Sequence, residues 1–180
     1  VLAEGLSPLR NYANLNPNLI STYDIVLRNS DYAIQLQPEQ VIRIGELPTS
    51  KTLRLWLQSL AIPHWIIEPS EQNVDPLHCP STHLRTSVDI IAKYLAISPS
   101  PPASTFPSPY LKFWLSLNTA IRNAVDETLT CTKPMWESKV AWLLSQTLPP
   151  QTPLFVANSM PVRDVELFWQ PGSSRIQPYF

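Results

Sequence analysis

Residues 40–68, QVIRIGELPTSKTLRLWLQSLAIPHWIIE, decide the fold of this chain. Residues 40–44 form a β-branched, apolar run that stops at Gly45, which is typical of a strand followed by a turn. Residues 53–60 then place leucine and tryptophan at the i, i+3, i+4, i+7 spacing of an amphipathic helix. A proline ends that helix, and residues 64–68 form a second apolar run. The pattern predicts a parallel strand-helix-strand unit.

The same alternation extends outward from this unit. Residues 1–4 are an apolar run before Gly5 and predict a short buried strand, whereas residues 19–27 and 88–95 have helical spacing. The first hundred residues therefore predict an α/β fold, a parallel sheet flanked by helices. Such sheets place their ligand sites at the carboxyl ends of the strands.

A second unit is predicted after a proline-rich stretch. Residues 98–109 are too rich in proline for a helix or a central strand, so they predict a semi-rigid linker. Helical spacing follows at residues 110–129 and at residues 135–148, where Trp136, Val140, Leu143 and Leu144 are expected to face inward. Residues 154–157 predict a short buried strand. A helix over residues 162–168 completes the start of a second α/β unit.

Composition excludes several classes of protein. The 180 residues are 44% hydrophobic and 15% charged, with a formal net charge of −1 and no lysine- or arginine-rich run, so neither nucleic acid nor an acidic membrane surface is an expected partner. No apolar run approaches the roughly 20 residues of a membrane-spanning helix. Two cysteines make no disulfide framework, which favours a reduced, cytoplasmic protein. Both chain ends look cut inside folded structure, so we expect a fragment of a longer protein.

The turn after the last predicted strand is the most informative candidate site. Asn158 and Ser159 can cap the next helix and leave its first N–H groups free, and Arg163 lies four residues after Ser159, on the same face. A hydroxyl, free N–H groups and a guanidinium together suit a carboxylate or phosphate. The alternative is purely structural: Ser159 caps the helix, and Arg163 pairs with Asp164 or Glu166 at the surface.

Lys51 stands at the other strand-to-helix turn and has the same two interpretations. It can present a positive charge to an anion at the sheet edge, or it can be a solvated lysine in a first helical turn. The segment is not a P-loop, because the glycines that let a backbone approach phosphates are absent. Residues 75–83 contain two histidines, a cysteine and an aspartate, but their spacing matches no zinc signature, and their prolines predict a loop.

Three segments resemble one enzyme family. Residues 154–164, LFVANSMPVRD, resemble a signature of the thiamine-diphosphate-dependent 2-succinyl-5-enolpyruvyl-6-hydroxy-3-cyclohexene-1-carboxylate synthases, the MenD family of menaquinone and phylloquinone biosynthesis. Residues 1–10, VLAEGLSPLR, are similar to a strand and loop of that family's middle domain. Residues 43–51, RIGELPTSK, are similar to a middle-domain turn that carries a basic residue.

The resemblance implies a division of the chain. Residues 1–105 would be most of a middle domain, residues 106–133 a linker and connecting helix, and residues 134–180 the start of a diphosphate-binding domain. It implies a transferase that decarboxylates 2-oxoglutarate and adds the succinic-semialdehyde unit to isochorismate. The cofactors would be thiamine diphosphate and Mg²⁺, and the full-length enzyme would be a cytoplasmic homo-oligomer with active sites between subunits.

The resemblance also implies roles for single residues. Asn158, Ser159, Arg163 and Lys51 would contact small-molecule carboxylate substrates. Some family members have an arginine directly after the lysine, where this chain has Thr52, so the bidentate clamp of those members is not expected here. No catalytic, cofactor-binding or metal-binding residue is expected in the fragment, since those groups would lie in the rest of the enzyme.

Two other functions are compatible with the pattern. One is another thiamine-diphosphate-dependent 2-oxoacid decarboxylase or carboligase, which would share the architecture without the Asn-Ser-Met-Pro-Val-Arg turn. The other is a non-catalytic anion-binding α/β module. An unpaired strand at the end of the chain argues against the module, because a free strand edge invites pairing with other chains.

Overall fold

The computed structural model describes residues 1–98 and 108–179. Short 3₁₀ turns at Pro8–Asn11 and Ala13–Leu15 precede the regular elements. These elements are, in chain order, α1 (Tyr23–Leu27), α2 (Ser30–Gln35), β1 (Val41–Ile44), α3 (Lys51–Ser59), β2 (His64–Ile67), β3 (Ser81–Leu84), α4 (Val88–Ile97), α5 (Pro109–Cys131), α6 (Glu137–Thr147), β4 (Pro153–Phe155), α7 (Met160–Phe168) and β5 (Gln177–Tyr179).

The predicted strand-helix-strand unit is confirmed. Strands β1 and β2 are parallel neighbours, with Val41 opposite His64, and α3 connects them. Ser50 precedes α3, and its hydroxyl accepts a hydrogen bond from the Leu53 N–H at 3.0 Å, so the helix begins with a side-chain cap. Leu53 and Leu57 then turn inward, as the apolar spacing predicts.

A third strand lies where a loop was expected. Strand β3 pairs in parallel with β2, in the second half of the proline-rich residues 75–83. Pro80 directly precedes β3, and its carbonyl accepts from the His64 N–H at 2.9 Å. A proline at the start of an edge strand removes no ladder donor that the sheet needs, so Pro80 is compatible with the strand. The loop prediction is confirmed for residues 75–80 and was wrong for residues 81–83.

The first core lies between this sheet unit and the helices α1 and α5. Tyrosine, valine and leucine side chains from α1 and α3 belong to the same buried cluster as Trp114 of α5, which is 3% exposed. Asn118, one turn further along α5, accepts from the N–H groups of Ser21 and Thr22 at 2.9 and 3.2 Å, just before α1. Helix α5 is therefore fixed to the first unit by apolar packing and by these polar contacts.

The second unit contains α6, β4, α7 and β5. Strands β4 and β5 are parallel, and the core beside them includes Val156, Val165, Trp169 and Ile176. The structure confirms the predicted helix-strand-helix order in this part of the chain. No helix among the described residues combines the length and the apolarity needed to cross a membrane.

Helix α6 turns only part of the expected face inward: Leu144 packs against the second core as predicted, but two other residues do not. Trp136 and Val140 are 55% and 44% exposed, whereas Ala141 and Trp142 are buried. The indole N–H of Trp142 donates to the Asp126 carboxylate of α5 at 2.8 Å, which gives the buried ring a hydrogen-bond partner. This contact with another helix favours the observed rotation of α6. The apolar spacing within α6 could not predict it, because Asp126 lies outside the helix.

Several end-segment predictions also changed in detail. The expected strand at residues 1–4 is reduced to a single parallel bridge between Leu2 and Ile20. The helix expected at residues 19–27 begins only at Tyr23, and the short α2 follows it without having been predicted. The expected linker lies mostly outside the described residues.

The segment 3–13 joins the two units. Its Arg10 is fully buried, and the guanidinium donates to main-chain carbonyls on both sides as well as to the Glu166 carboxylate of α7. A Cβ atom on Gly5 would lie 2.8 Å from the Glu166 Cα, so only glycine allows this close approach of the two backbones. The position of α7 relative to the first unit therefore depends on this segment.

His64 of β2 makes stability depend on pH. It is 1% exposed, neither ring nitrogen has a hydrogen-bond partner among the described residues, and burial lowers its pKa below the ordinary 6.5. As the pH falls, His64 is protonated in the unfolded chain before it is protonated in the folded chain. The free energy of unfolding therefore decreases as pH falls through about 6.5 and below.

We predict that His64→Phe loses less free energy of unfolding than the wild type between pH 7.5 and pH 5.5, measured by urea titration. The exposed His78, changed to asparagine, is the control; an equal loss in wild type and His64→Phe would contradict the prediction.

Candidate anion-binding site

Two of the predicted site residues, Lys51 and Arg163, line the same cleft. The cleft has a volume of about 400 Å³ and lies between the N-terminus of α3 and one face of α7. Its walls come from the segment before α3, from α1 and from α7, and they consist of Asp24, Arg28, Thr49, Ser50, Lys51, Thr52, Arg163, Glu166 and Leu167. Residues more than 110 positions apart in the sequence therefore contribute to one site.

The first wall is the N-terminus of α3. Lys51 is the first residue of the helix, and the turn that leads to it begins at Gly45, where φ is +72°. The Thr49 N–H donates to the Glu4 carboxylate at 2.6 Å, which ties this turn to the N-terminal segment. The positive end of the helix dipole and the ammonium group of Lys51 both favour an anion at this place.

The floor of the cleft contains a compensated carboxylate. Asp24 accepts from the Arg28 guanidinium at 2.9 Å and 2.8 Å, and it also accepts from the Ser50 hydroxyl. Asp24 is buried, whereas the Arg28 side chain is 59% exposed. The charge of Asp24 is therefore balanced locally and does not cancel the positive charge of Lys51.

The second wall is α7. Arg163 is exposed and forms no ion pair with any described residue, so the expected surface pairing with Asp164 or Glu166 is not seen. The Glu166 carboxylate is instead bound by the Arg10 guanidinium at 3.0 Å. Burial raises the pKa of Glu166, and the Arg10 guanidinium opposes that rise. The cleft keeps two uncompensated cations, Lys51 and Arg163, which suits a carboxylate or phosphate ligand.

Asn158 and Ser159 lie outside the walls of this cleft. Both are exposed at the turn before α7, and the Ser159 hydroxyl makes no capping hydrogen bond, contrary to the structural alternative. The Ser159 backbone has φ 76° and ψ −120°, a conformation that residues with a side chain rarely adopt. Such strain often occurs at functional positions. The turn places the serine and asparagine side chains about one helical turn before Arg163.

A second cavity has the opposite character. It measures about 410 Å³, lies between α6, β4 and α7, and is lined mostly by apolar side chains. Its two charged groups are the carboxyls of Glu137 and Asp164, and the pKa of Asp164 is raised by burial and then by the nearby Glu137. Negative charge in an apolar wall does not favour a carboxylate, so this cavity is not the anion site.

The chain matches a known family over most of its length. The family model described as "Middle domain of thiamine pyrophosphate" matches residues 9–156. The chain belongs to this family. The α/β fold with a parallel sheet flanked by helices, expected from the sequence, is confirmed both by the family and by the structure.

Named relatives extend the comparison over the whole chain. Proteins of Trichormus variabilis, Nostoc sp. and Gloeothece citriformis are 53%, 52% and 52% identical over 180 residues, and all three are named 2-succinyl-5-enolpyruvyl-6-hydroxy-3-cyclohexene-1-carboxylate synthase. The chain spans about 30% of the length of each. The resemblance of residues 154–164, 1–10 and 43–51 to that synthase family is thereby confirmed.

The residues of this middle-domain chain do not fit a magnesium diphosphate. In residues 1–98 and 108–179, no group of three or more histidine, cysteine, aspartate or glutamate side chains is placed to hold a metal ion. The two carboxylates of the cleft, Asp24 and Glu166, are already bound by arginines, whereas magnesium needs free oxygen ligands. The cleft therefore suits an organic anion better than a metal-bound diphosphate.

Sequence reasoning missed three residues that shape the cleft. Asp24 and Arg28 have the i, i+4 spacing of a helical ion pair, and that signal was available in residues 24–28. Arg10 had no local signal, because its partner Glu166 is 156 positions away. Only the folded chain brings those two together.

Ser50 connects the cap of α3 to the cleft floor. Its hydroxyl accepts from the Leu53 N–H and donates to the buried Asp24 carboxylate. We predict that Ser50→Ala lowers the free energy of unfolding by about 1–2 kcal/mol, since both contacts are lost. Urea unfolding measures the change, with Ser59→Ala as the control, because Ser59 is exposed in the last turn of the same helix. A loss no larger than that of Ser59→Ala would refute the role of Ser50.

Proposed function

We propose that this chain supplies the substrate-carboxylate cleft of a 2-succinyl-5-enolpyruvyl-6-hydroxy-3-cyclohexene-1-carboxylate synthase. The reaction decarboxylates 2-oxoglutarate and adds the resulting succinic-semialdehyde unit to isochorismate, in menaquinone or phylloquinone biosynthesis. One observation carries the proposal: Lys51 and Arg163 line one cleft and neither is in an ion pair in the described chain. The names of relatives at 53% and 52% identity support this reaction over that of another 2-oxoacid carboligase.

The proposed division of the chain follows the two cores. Residues 1–105 form the greater part of a middle domain, residues 106–133 a linker and connecting helix, and residues 134–180 the start of a diphosphate-binding domain. In support, the first core contains residues of α1 and α3, and the second contains residues of α6 and α7. The cleft then lies between two domains, which is a common place for ligand sites.

Lys51 and Arg163 bind the substrate in this mechanism. Both substrates carry carboxylates, and each charge-assisted pair contributes roughly 1.5–3 kcal/mol when water is excluded. Lys51 acts as a point charge at the helix N-terminus, whereas Arg163 offers a planar pair of donors. Thr52, which also lines the cleft, offers a single hydroxyl instead of a second guanidinium.

Asn158 and Ser159 add polar contacts at the entrance to α7. Their exposed side chains stand before the helix whose first free N–H groups favour an anion. The strained Ser159 backbone holds the hydroxyl away from the capping position, so that it is available to a ligand. We propose that this pair meets the part of the substrate that extends beyond Arg163.

The carbon–carbon chemistry belongs to the cofactor. Thiamine diphosphate, held by other parts of the longer protein, would supply the electron-accepting group that decarboxylation needs. We propose that the residues that hold it and its Mg²⁺, and the catalytic residues, lie in other parts of the longer protein, whose relatives are about three times the length of this chain. The residues described above bind and orient carboxylates.

The full-length enzyme is proposed to be a cytoplasmic homo-oligomer that binds no nucleic acid. In support, one face of the first sheet carries exposed apolar side chains, Ile42 at 64% and Ile44 at 63%. Parallel sheets are usually covered on both faces, so other protein surface is expected there. The net charge of −1 gives no attraction to nucleic acid.

Removal of either cleft cation should weaken substrate binding. In the full-length enzyme, Arg163→Ala should raise the KM for 2-oxoglutarate or isochorismate, or lower kcat, by roughly 10- to 100-fold, because one charge-assisted pair is lost. Lys51→Ala should act in the same direction with a smaller effect, since a point charge gives one contact. Steady-state kinetics with each substrate varied in turn measures both.

Lys93→Ala is the matched control. Lys93 is an exposed lysine of α4, and it lies outside the cleft. The control should leave both KM values unchanged. If Arg163→Ala and Lys51→Ala behave like Lys93→Ala, the cleft does not bind the substrate.

A further inference from the structure

Arg163 has a natural competitor on its own helix. Glu166 lies three residues further along α7, and side chains at this spacing share a helix face. Both residues line the cleft. An arginine and a glutamate so placed ordinarily form a surface ion pair, and that pair would occupy the guanidinium that a substrate carboxylate needs.

The structure shows why the pair does not form. Glu166 is 4% exposed, and its carboxylate accepts from Arg10 at 3.0 Å and from the Gly5 N–H. Both donors lie on the N-terminal segment, residues 3–13. Glu166 therefore already has two hydrogen-bond donors and does not pair with Arg163.

Arg10 itself is held rigidly. The guanidinium donates to the carbonyls of Ala3 at 2.9 Å, Ser21 at 3.0 Å and Glu166 at 2.8 Å, in addition to the Glu166 carboxylate. Arginine is suited to this task because its planar group offers five donors in fixed directions. The residue therefore compensates one carboxylate while it anchors three separate segments of backbone.

The N-terminal segment is also bonded to the turn that precedes Lys51, the other cation of the cleft. Glu4 accepts from the Thr49 N–H, two residues before Lys51. Residues 4–10 are thus bonded both to the turn that presents Lys51 and to the helix that presents Arg163. A change in this segment can therefore affect both walls of the cleft although it replaces neither cation.

We infer that Arg10 is a positioning residue, which keeps the Glu166 carboxylate away from Arg163 and so leaves Arg163 free for the substrate carboxylate. This inference rests on the proposed function of the cleft. Without Arg10, the Glu166 carboxylate loses its ionic partner and keeps only the Gly5 N–H, so that it turns to Arg163, its neighbour at i−3. The carboxylate then competes with the substrate from within the protein.

The test compares three variants of the full-length enzyme. Arg10→Met should raise the KM for 2-oxoglutarate roughly tenfold, with a smaller change in kcat, because the competitor acts on binding. Adding Glu166→Gln to Arg10→Met removes the competing charge and should bring KM back to within about threefold of the wild type. The thermal midpoint should stay low in the double variant, since the carbonyls of Ala3 and Ser21 still lack their donor.

These outcomes separate positioning from stability. A purely structural role would leave KM as high in the double variant as in Arg10→Met, with KM following the thermal midpoint, and that result would overturn the inference. If Arg10→Met does not fold, Arg10→Lys replaces it. The lysine keeps a charge opposite Glu166, so a KM nearer to the wild type than to Arg163→Ala supports the inference, and a KM as high as that of Arg163→Ala overturns it.

Arg163→Ala, measured in parallel, separates the proposed role of the cleft from the proposed role of Arg10. If Arg163→Ala leaves KM unchanged, the proposed role of the cleft fails, and the role of Arg10 fails with it. If Arg163→Ala raises KM but Arg10→Met does not, only the positioning role of Arg10 is wrong.

Discussion

The fully buried guanidinium of Arg10 is the constraint on which the two halves of the structure depend. A charge removed from water costs several kcal/mol unless it is paired and hydrogen-bonded where it lies. Here the compensation comes from the Glu166 carboxylate and from carbonyls of three segments. Because these partners belong to both ends of the chain, the compensation exists only when α7 is docked on the N-terminal segment. Loss of one member of such a pair typically costs about 3–5 kcal/mol.

The docking of α7 on the N-terminal segment brings the two cations of the cleft together. Each of its two cations sits on a helix of a different unit, and neither unit alone provides both. The capped α3 brings Lys51 forward, the strained turn at Ser159 starts α7, and the buried ion pair fixes the distance between them. The carboxylates nearby, Asp24 and Glu166, are both neutralised by arginines, so the cleft remains positive although the chain has a formal net charge of −1.

Local patterns predicted the parts of the fold that depend on local physics. The strands and helices around residues 40–68 and the order of elements at residues 154–168 follow from apolar spacing, glycine and proline. Strand β3 was missed because proline was taken as a loop signal, although an edge strand tolerates it at its start. The face of α6 was misjudged in part because a contact from Trp142 to Asp126 of another helix favours its observed rotation.

The candidate site was predictable to a similar extent. Lys51 and Arg163 were identified because strand-to-helix turns present side chains at a sheet edge. The sequence of neither turn could predict that Lys51 and Arg163 line the same cleft. The structural alternative, a surface pair of Arg163 with Asp164 or Glu166, is not seen, since Glu166 pairs with Arg10, 156 positions away. Contacts of that separation arise only from the docking of the two units.

The most direct test of this account is a crystal structure of the full-length enzyme with 2-oxoglutarate bound. The account predicts a substrate carboxylate within hydrogen-bond distance of both Lys51 and Arg163, with Glu166 still bound to Arg10. A substrate carboxylate located elsewhere, or an ion pair between Arg163 and Glu166 in that complex, would contradict it.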